Sequence, residues 1–259
     1  MALYKLILAY DGTDFSGFQR QGNRRTVQSV IESALQSLGW QQKAIQFAGR
    51  TDAGVHASGQ VVGFSFDWQH SSADLLNALN ARLPHDVAVI QISEVEAEFH
   101  PRYDASSRKY RYTLYQSPVR HPLSERFAWR VWPELPSEPL ALVAARFIGQ
   151  YDFSAFGRPM KAEGSTVREI FTSQWRENVA GWEFEVEANA FLYHMVRRLV
   201  YIQVQFAKGN LSLDLIESAL QGGRKLKPGL APAQGLSLVG VTYNKKLNTT
   251  CEKKINNGW

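Results

Sequence analysis

One cysteine, Cys251, is all that the 259 residues contain. That excludes a disulfide within the chain and any cysteine-rich metal cage, and it fits a reducing compartment. No stretch approaches the ~18 uninterrupted apolar residues of a membrane-spanning helix. The apolar N-terminal run ALYKLILAYDG is short, carries Lys5 and lacks a signal-type cleavage site, so the expected location is the cytoplasm. Neither G-x-x-x-x-G-K-[ST] nor a strand-linked G-x-G-x-x-G occurs, which removes support for phosphate-cradling NTPase and dinucleotide folds. H-E-x-x-H and the G-x-S-x-G elbow are missing too. The histidines, at positions 56, 70, 85, 100, 121 and 194, fall in no metal-ligand spacing, and no metal is expected.

What is present is the composition of a folded globular chain, with 44% hydrophobic and 20% charged residues. The net charge of +5 favours a polyanionic partner without establishing one. Basic residues cluster at Arg20, Arg24 and Arg25, at Arg108, Lys109 and Arg111, and at Arg197 with Arg198, each near aromatics. Lys245, Lys246, Lys253 and Lys254 surround a polar, unperiodic C-terminal tail and are assigned no site.

Periodicity alternates between strand and helix. Leu3 to Tyr10 reads as a strand, and TVQSVIESALQSLG places Val27, Val30, Ile31, Ala34, Leu35 and Leu38 on one helical stripe that Gly39 can close. Strands are expected at Ala44 to Ala48 and Gln60 to Phe66. Between residues 71 and 84 lies a helix capped by Ser71 with Asp74 and stopped at Pro84, and the strand VAVIQI follows. RKYRYTLY alternates as a strand with a usable surface. SEPLALVAARFIG spells a helix with a Ser cap, and two strands are expected near Val167 to Glu177 and Trp182 to Ala190. Helices at Tyr193 to Ala207 and Leu213 to Gln221 and a last strand, LSLVGVTY, complete the chain. The class is therefore α+β: two similar subdomains, 1–105 and 106–247, each an antiparallel sheet with helices packed on one side, a ligand cleft between them and a tail at 248–259.

The segment FAGRTDAGVHASGQ, joining two expected strands, gathers Arg50, Asp52 and His56 among glycines that permit close backbone approach. Residue by residue the plain interpretations come first. An Asp before Ala-Gly folds its carboxylate onto the local backbone or caps the next element; Arg50 makes a surface ion pair; His56 packs as a polar residue; Tyr110 is a half-buried strand aromatic. Together in one short loop, they invite chemistry.

Seven segments in order, YDGTDFSGFQRQ, GRTDAGVHASGQV, NARLPHDVAVIQ, FHPRYDASSRKYRYTLY, YDFSAFG, FLYHMVRRLV and APAQGLSLVGVTY, resemble the TruA family of tRNA pseudouridine synthases over nearly the whole chain. The resemblance implies the pseudouridine synthase fold with a central RNA-binding cleft, and isomerisation of uridine to pseudouridine in the anticodon stem-loop of tRNA. It implies no cofactor, no catalytic metal, and a homodimer with one tRNA contacting both subunits. By the same resemblance Asp52 is the nucleophile and Arg197 the cation that offsets desolvation of its carboxylate. Tyr110 stacks on the target base and assists proton removal at C5, Leu236 packs the base from the other side, and Arg50 helps extrude it. His56 receives only a structural role. The chain departs from the family at Phe18, where tryptophan is usual, and at Tyr201, where a small glycine is usual. Gln203 and Gln205 add polarity to the same helix, so helix packing and the subunit interface are the features placed in question. Two other classes stay open, a non-catalytic RNA-binding protein on the same fold and a nucleoside glycosidase.

Overall fold

A computed structural model describes residues 1–161, 163–222 and 226–244; the expected tail at 248–259 lies outside them. The first half runs β1 (Ala2–Tyr10), α1 (Val27–Ser37), β2 (Gln46–Phe47), β3 (His56–Phe66), α2 (Ser72–Asn80) and β4 (Val87–Val95). The second runs β5 (Ala105–Gln116), α3 (Pro122–Glu125), β6 (Trp129–Val131), α4 (Ser137–Ala145), β7 (Gly149–Asp152), β8 (Val167–Asn178) and β9 (Gly181–Ala188). It closes with α5 (Met195–Ala207), α6 (Leu213–Leu220) and β10 (Leu236–Tyr243).

Local chemistry accounts for most boundaries. Thr26 and Ser29 cap α1 reciprocally, and Ser71 with Asp74 does the same for α2, each pair satisfying two otherwise unpaired backbone donors. Val27, Ile31, Ala34 and Leu35 recur at helical spacing and are buried, so α1 is held by its apolar stripe. At α4 the expected Ser cap is not used: Ser137 is the first helical residue, Pro136 occupies the cap position, and no side chain caps the helix. β3 starts at His56, four residues earlier than its apolar pattern indicates, so His56 is a strand residue.

Each half contributes a mainly antiparallel sheet, with β6 parallel to β5 in the second, and β10 joins the two edge to edge. The order is β4-β1-β3-β10-β5-β9-β8-β7, with β2 on β3 and β6 on β5. β10 pairs with β5 antiparallel over most of its length and with β3 parallel through Ser237↔His56 and Leu238↔Ala57. The last strand among the described residues thus binds the first half to the second. Alternation sorts the faces. Tyr110, Tyr112 and Leu114 of β5 lie opposite Val186, Phe184 and Trp182 of β9, all buried. Lys109 and Arg111 face the other way, onto Glu185, whose carboxylate lies 3.7 Å from Lys109 Nζ and 3.1 Å from Arg111 Nη2.

The departures from the family pattern are absorbed locally. Phe18 is fully buried against Phe47 and Tyr10, ring centroids 4.7 and 6.1 Å away, an apolar setting that needs no indole N–H. The Tyr201 ring lies where a Cβ on Gly229 would stand only 2.1 Å from it, so the missing side chain of Gly229 makes its room. Gln203 is buried yet satisfied, accepting from Trp175 Nε1 at 2.8 Å and donating to the Leu199 carbonyl at 3.2 Å.

Candidate active site

Residues 48–55 link β2 to β3 and rest on the segment after β1. The Phe18 N–H donates to the Thr51 carbonyl at 3.1 Å, and the Gly12 N–H donates to His56 Nδ1 at 3.0 Å. The Tyr10 and Thr51 hydroxyls share a 2.8 Å bond. Burial pushes the Tyr10 phenol up to about 12, so it stays a neutral hydrogen-bonding group. Two glycines permit this approach: a Cβ on Gly12 would meet the Val55 carbonyl oxygen at 2.0 Å, and one on Gly17, at φ +90°, would meet the Thr51 oxygen at 2.8 Å. Backbone against backbone cannot yield cheaply. Gly12→Ala is therefore expected to lower unfolding stability by about 3 kcal/mol, read as an earlier thermal transition with weakened activity.

The loop closes its own turn through backbone, the Val55 N–H donating to the Asp52 carbonyl at 3.2 Å, which leaves the Asp52 carboxylate free of local duty. That carboxylate crosses to the other half. Arg197 Nη1 donates to Asp52 Oδ2 at 2.9 Å, with 21% of the Asp52 side chain and 14% of Arg197 exposed. Arg197 is fixed in turn: its Nε donates to the Ala231 carbonyl at 2.8 Å, and its own carbonyl accepts from the Ala231 N–H at 3.2 Å. Arg197 lies in the first turn of α5 and brings the Asp52 carboxylate to that end of the helix, where the dipole favours an anion.

A cleft of about 630 Å³ opens over this pair, walled by both halves. Arg50, Asp52, Tyr110, Arg197 and Leu236 all line it, so the residues singled out from the sequence converge on one cavity. Tyr110 is buried edge-on against Phe191, centroids 5.2 Å apart, and desolvation, with the nearby Tyr10 and Asp52, drives its phenol far above the ordinary range. Arg50 is exposed on the rim with no carboxylate at ion-pair distance among the described residues; desolvation, then the charge of Arg102, pulls its guanidinium below the usual value. His56 does not join them. Its Nδ1 lies 3.2 Å from Asp11 Oδ1 and its ring packs on Phe127, with the imidazole held below its ordinary value mainly by burial.

His194 is the functional candidate that sequence reasoning passed over. Its Nε2 lies 3.3 Å from the same Asp52 oxygen that Arg197 holds. It caps α5 in the left-handed conformation at φ 66°, the single non-glycine residue with positive φ among those described, and its ring stacks on Tyr193 at 3.7 Å. Strain of this kind, about 1–3 kcal/mol, persists where surroundings enforce it. Burial lowers the imidazole, Asp52 opposes, and Arg197 and Arg158 add to the lowering, so at neutral pH it meets Asp52 mostly as an uncharged neighbour. No local signal marked it, because a left-handed backbone at a residue other than glycine leaves no sign in the sequence. Among the described residues, no group of three or more His, Cys, Asp or Glu side chains could hold a metal ion.

A carboxylate held by a guanidinium, in a cleft lined by further arginines and aromatic rings, is chemically able to act as a nucleophile or a base. The profile of a family described as tRNA pseudouridine synthase matches residues 6–104 and 143–244. The tRNA pseudouridine synthase A of Citrifermentans bemidjiense is 38% identical over 244 residues, covering 93% of this chain and 98% of that protein. The enzyme of the same name from Roseiflexus sp. is 39% identical, covering 92% and 89%. Among solved structures, a chain of a Cbf5-Nop10-Gar1 complex is 12% identical with a TM-score of 0.39, covering 91% of this chain and 48% of its own. A likeness of that size carries no argument. The chain belongs to the tRNA pseudouridine synthase family.

Proposed function

We propose that this isomerase converts uridine to pseudouridine in the anticodon stem-loop of tRNA, with Asp52 as the nucleophile. The observation that carries the proposal is the 2.9 Å bond between Asp52 and Arg197, made across the two halves at the floor of the cleft. Arg197 engages Oδ2, while Oδ1 has no hydrogen-bond partner among the described residues and is the oxygen free to attack. The reaction breaks C1′–N1, turns the uracil and bonds C5 to C1′. The proton on C5 leaves, one returns to N1, and mass is conserved. A carboxylate serves by holding one fragment covalently while the other reorients.

Tyr110 and Leu236 supply the walls for the extruded base, Tyr110 as a ring face that restores part of the stacking lost from the RNA helix. Arg50, a planar cation without a protein anion, suits a phosphate or an emptied base position. The Tyr110 phenol is neutral at any physiological pH and so acts by relaying a proton, not as a standing phenolate. Tyr110→Phe is expected to keep tRNA affinity, because the ring remains, and to lose on the order of 10²-fold in single-turnover rate. A rate within twofold of the parent would remove the phenol from the proton path.

No helix among the described residues is long and apolar enough to cross a membrane, and the proposed setting is the cytoplasm, with a homodimer as the working unit. The test uses unmodified tRNA carrying tritium at uracil C5. The proposal requires one tritium released per event, unchanged tRNA mass and new pseudouridine confined to the anticodon arm. Abasic sites with free uracil would identify a glycosidase instead, and salt-sensitive binding without release would identify a binding protein.

A further inference from the structure

The turn 100–104, which leads into β5, carries an arrangement that the target-base site does not use. His100 Nδ1 accepts from the backbone N–H groups of Arg102 and Tyr103, at 3.1 and 3.3 Å, and Asp104 Oδ2 accepts from the His100 N–H at 2.8 Å. Held this way, the turn directs the Arg102 and Tyr103 side chains outward. The Tyr103 ring leans on the His100 ring, centroids 4.2 Å apart, with the Arg102 guanidinium 5.9 Å from its centroid, yet Tyr103 is 76% exposed. Arg108 ties the turn to the catalytic loop: its guanidinium donates to the carbonyls of Arg102 and, at 3.4 Å, of Ala48. A propped aromatic is thereby set in the wall of the cleft that holds Asp52.

Charge points the same way. Arg50, Arg102 and Arg108 all line the cleft, and none has a carboxylate at ion-pair distance among the described residues. Burial first, and then the charge of Arg102, depress the Arg50 guanidinium; burial depresses that of Arg108, with Tyr243 and Tyr110 opposing and Arg102 adding a little, so an incoming anion relieves an existing repulsion. The cleft volume, about 630 Å³, also exceeds what one uracil ring fills.

We propose that the turn is a second nucleotide subsite, in which Tyr103 stacks the base of a nucleotide adjacent to the target while Arg102, with Arg50, takes its phosphate. The subsite rests on the RNA-isomerase reading above. When a target base leaves its helix, its neighbour loses a stacking partner, and an exposed, already oriented tyrosine replaces it. Cation and ring together recognise a nucleotide without reading which base it carries.

The test is a cycle between protein and RNA. Stem-loop substrates carrying C5 tritium are made intact or with an abasic nucleotide on either side of the target, and are assayed with wild-type protein, Tyr103→Leu and Tyr103→Phe. The abasic change at one flank is expected to lower wild-type kcat/KM roughly 5- to 100-fold, the range for losing one base-on-aromatic stack. Tyr103→Leu should show a similar loss with intact RNA and none further from that abasic change, and Tyr103→Phe should match wild type. Arg102→Gln should reduce the slope of log affinity against log salt by about one. Abasic effects equal in wild type and Tyr103→Leu at both flanks, or full activity of Tyr103→Leu on intact RNA, would overturn the subsite. Unaltered thermal unfolding of the Tyr103 variants checks that only the surface has changed. Failure of the wild type to release tritium from any RNA would sink the isomerase reading separately; the same cycle read as RNA affinity then decides the subsite.

Discussion

Arg197→Met is expected to lower the single-turnover rate of tritium release by on the order of 10²- to 10³-fold while tRNA affinity falls only severalfold. The guanidinium does two things at once: Nη1 holds Asp52 Oδ2 at 2.9 Å, and Nε holds the Ala231 carbonyl at 2.8 Å. Ala231 precedes the segment that ends in Leu236, so one side chain fixes both the proposed nucleophile and the segment proposed to pack the target base. Methionine keeps the aliphatic stem and removes both bonds. Arg197→Lys restores charge but cannot span two acceptors with a planar fork, so recovery should be partial, within about tenfold of the methionine variant. Removing one partner of a buried pair costs about 3–5 kcal/mol, and less is expected here because both side chains keep some contact with water and His194 stays beside Asp52. The variant should therefore remain folded. A rate within threefold of wild type would show that Arg197 only decorates the site.

Much of the fold could be read from residue patterns. An apolar stripe located α1, and a stripe with the Ser71–Asp74 cap located α2, because those signals act within a few residues; alternation located β5 because its two faces meet different surroundings. The Ser cap expected at α4 failed because position 136 holds the proline that takes the cap place, and proline has no side-chain acceptor. The place of β10 between the halves was illegible, since strand order depends on pairings far apart in the chain.

For the site, proximity in sequence proved a poor guide to proximity in space. Lys109 and Arg111 flank Tyr110, yet the two-residue period of a strand puts them on the opposite face, paired with Glu185. Arg20 and Arg25 pair with Glu32 and Asp86, while Arg24 lines the cleft. Only the family resemblance links Asp52 with Arg197 in the sequence, because nothing local connects positions 145 residues apart. The fit of Tyr201 against Gly229 was hidden for a similar reason: Tyr201 looks anomalous alone, and only packing shows the glycine that makes room for it. His194 was overlooked because its left-handed backbone has no compositional sign in a residue other than glycine.

The second large effect is that of Asp52→Asn. Asparagine keeps the shape and can still accept from Arg197, but it cannot act as an oxygen nucleophile, so C5 tritium release should fall by on the order of 10⁴-fold or more. Binding should persist, because Arg50, Tyr110 and Leu236 are untouched and the loop is held by backbone contacts with the segment at 12–18. Single-turnover tritium release from unmodified tRNA by Asp52→Asn, with tRNA affinity measured in parallel, is thus the most direct measurement. The account predicts intact binding with no release above background; release at a rate comparable to wild type would contradict it.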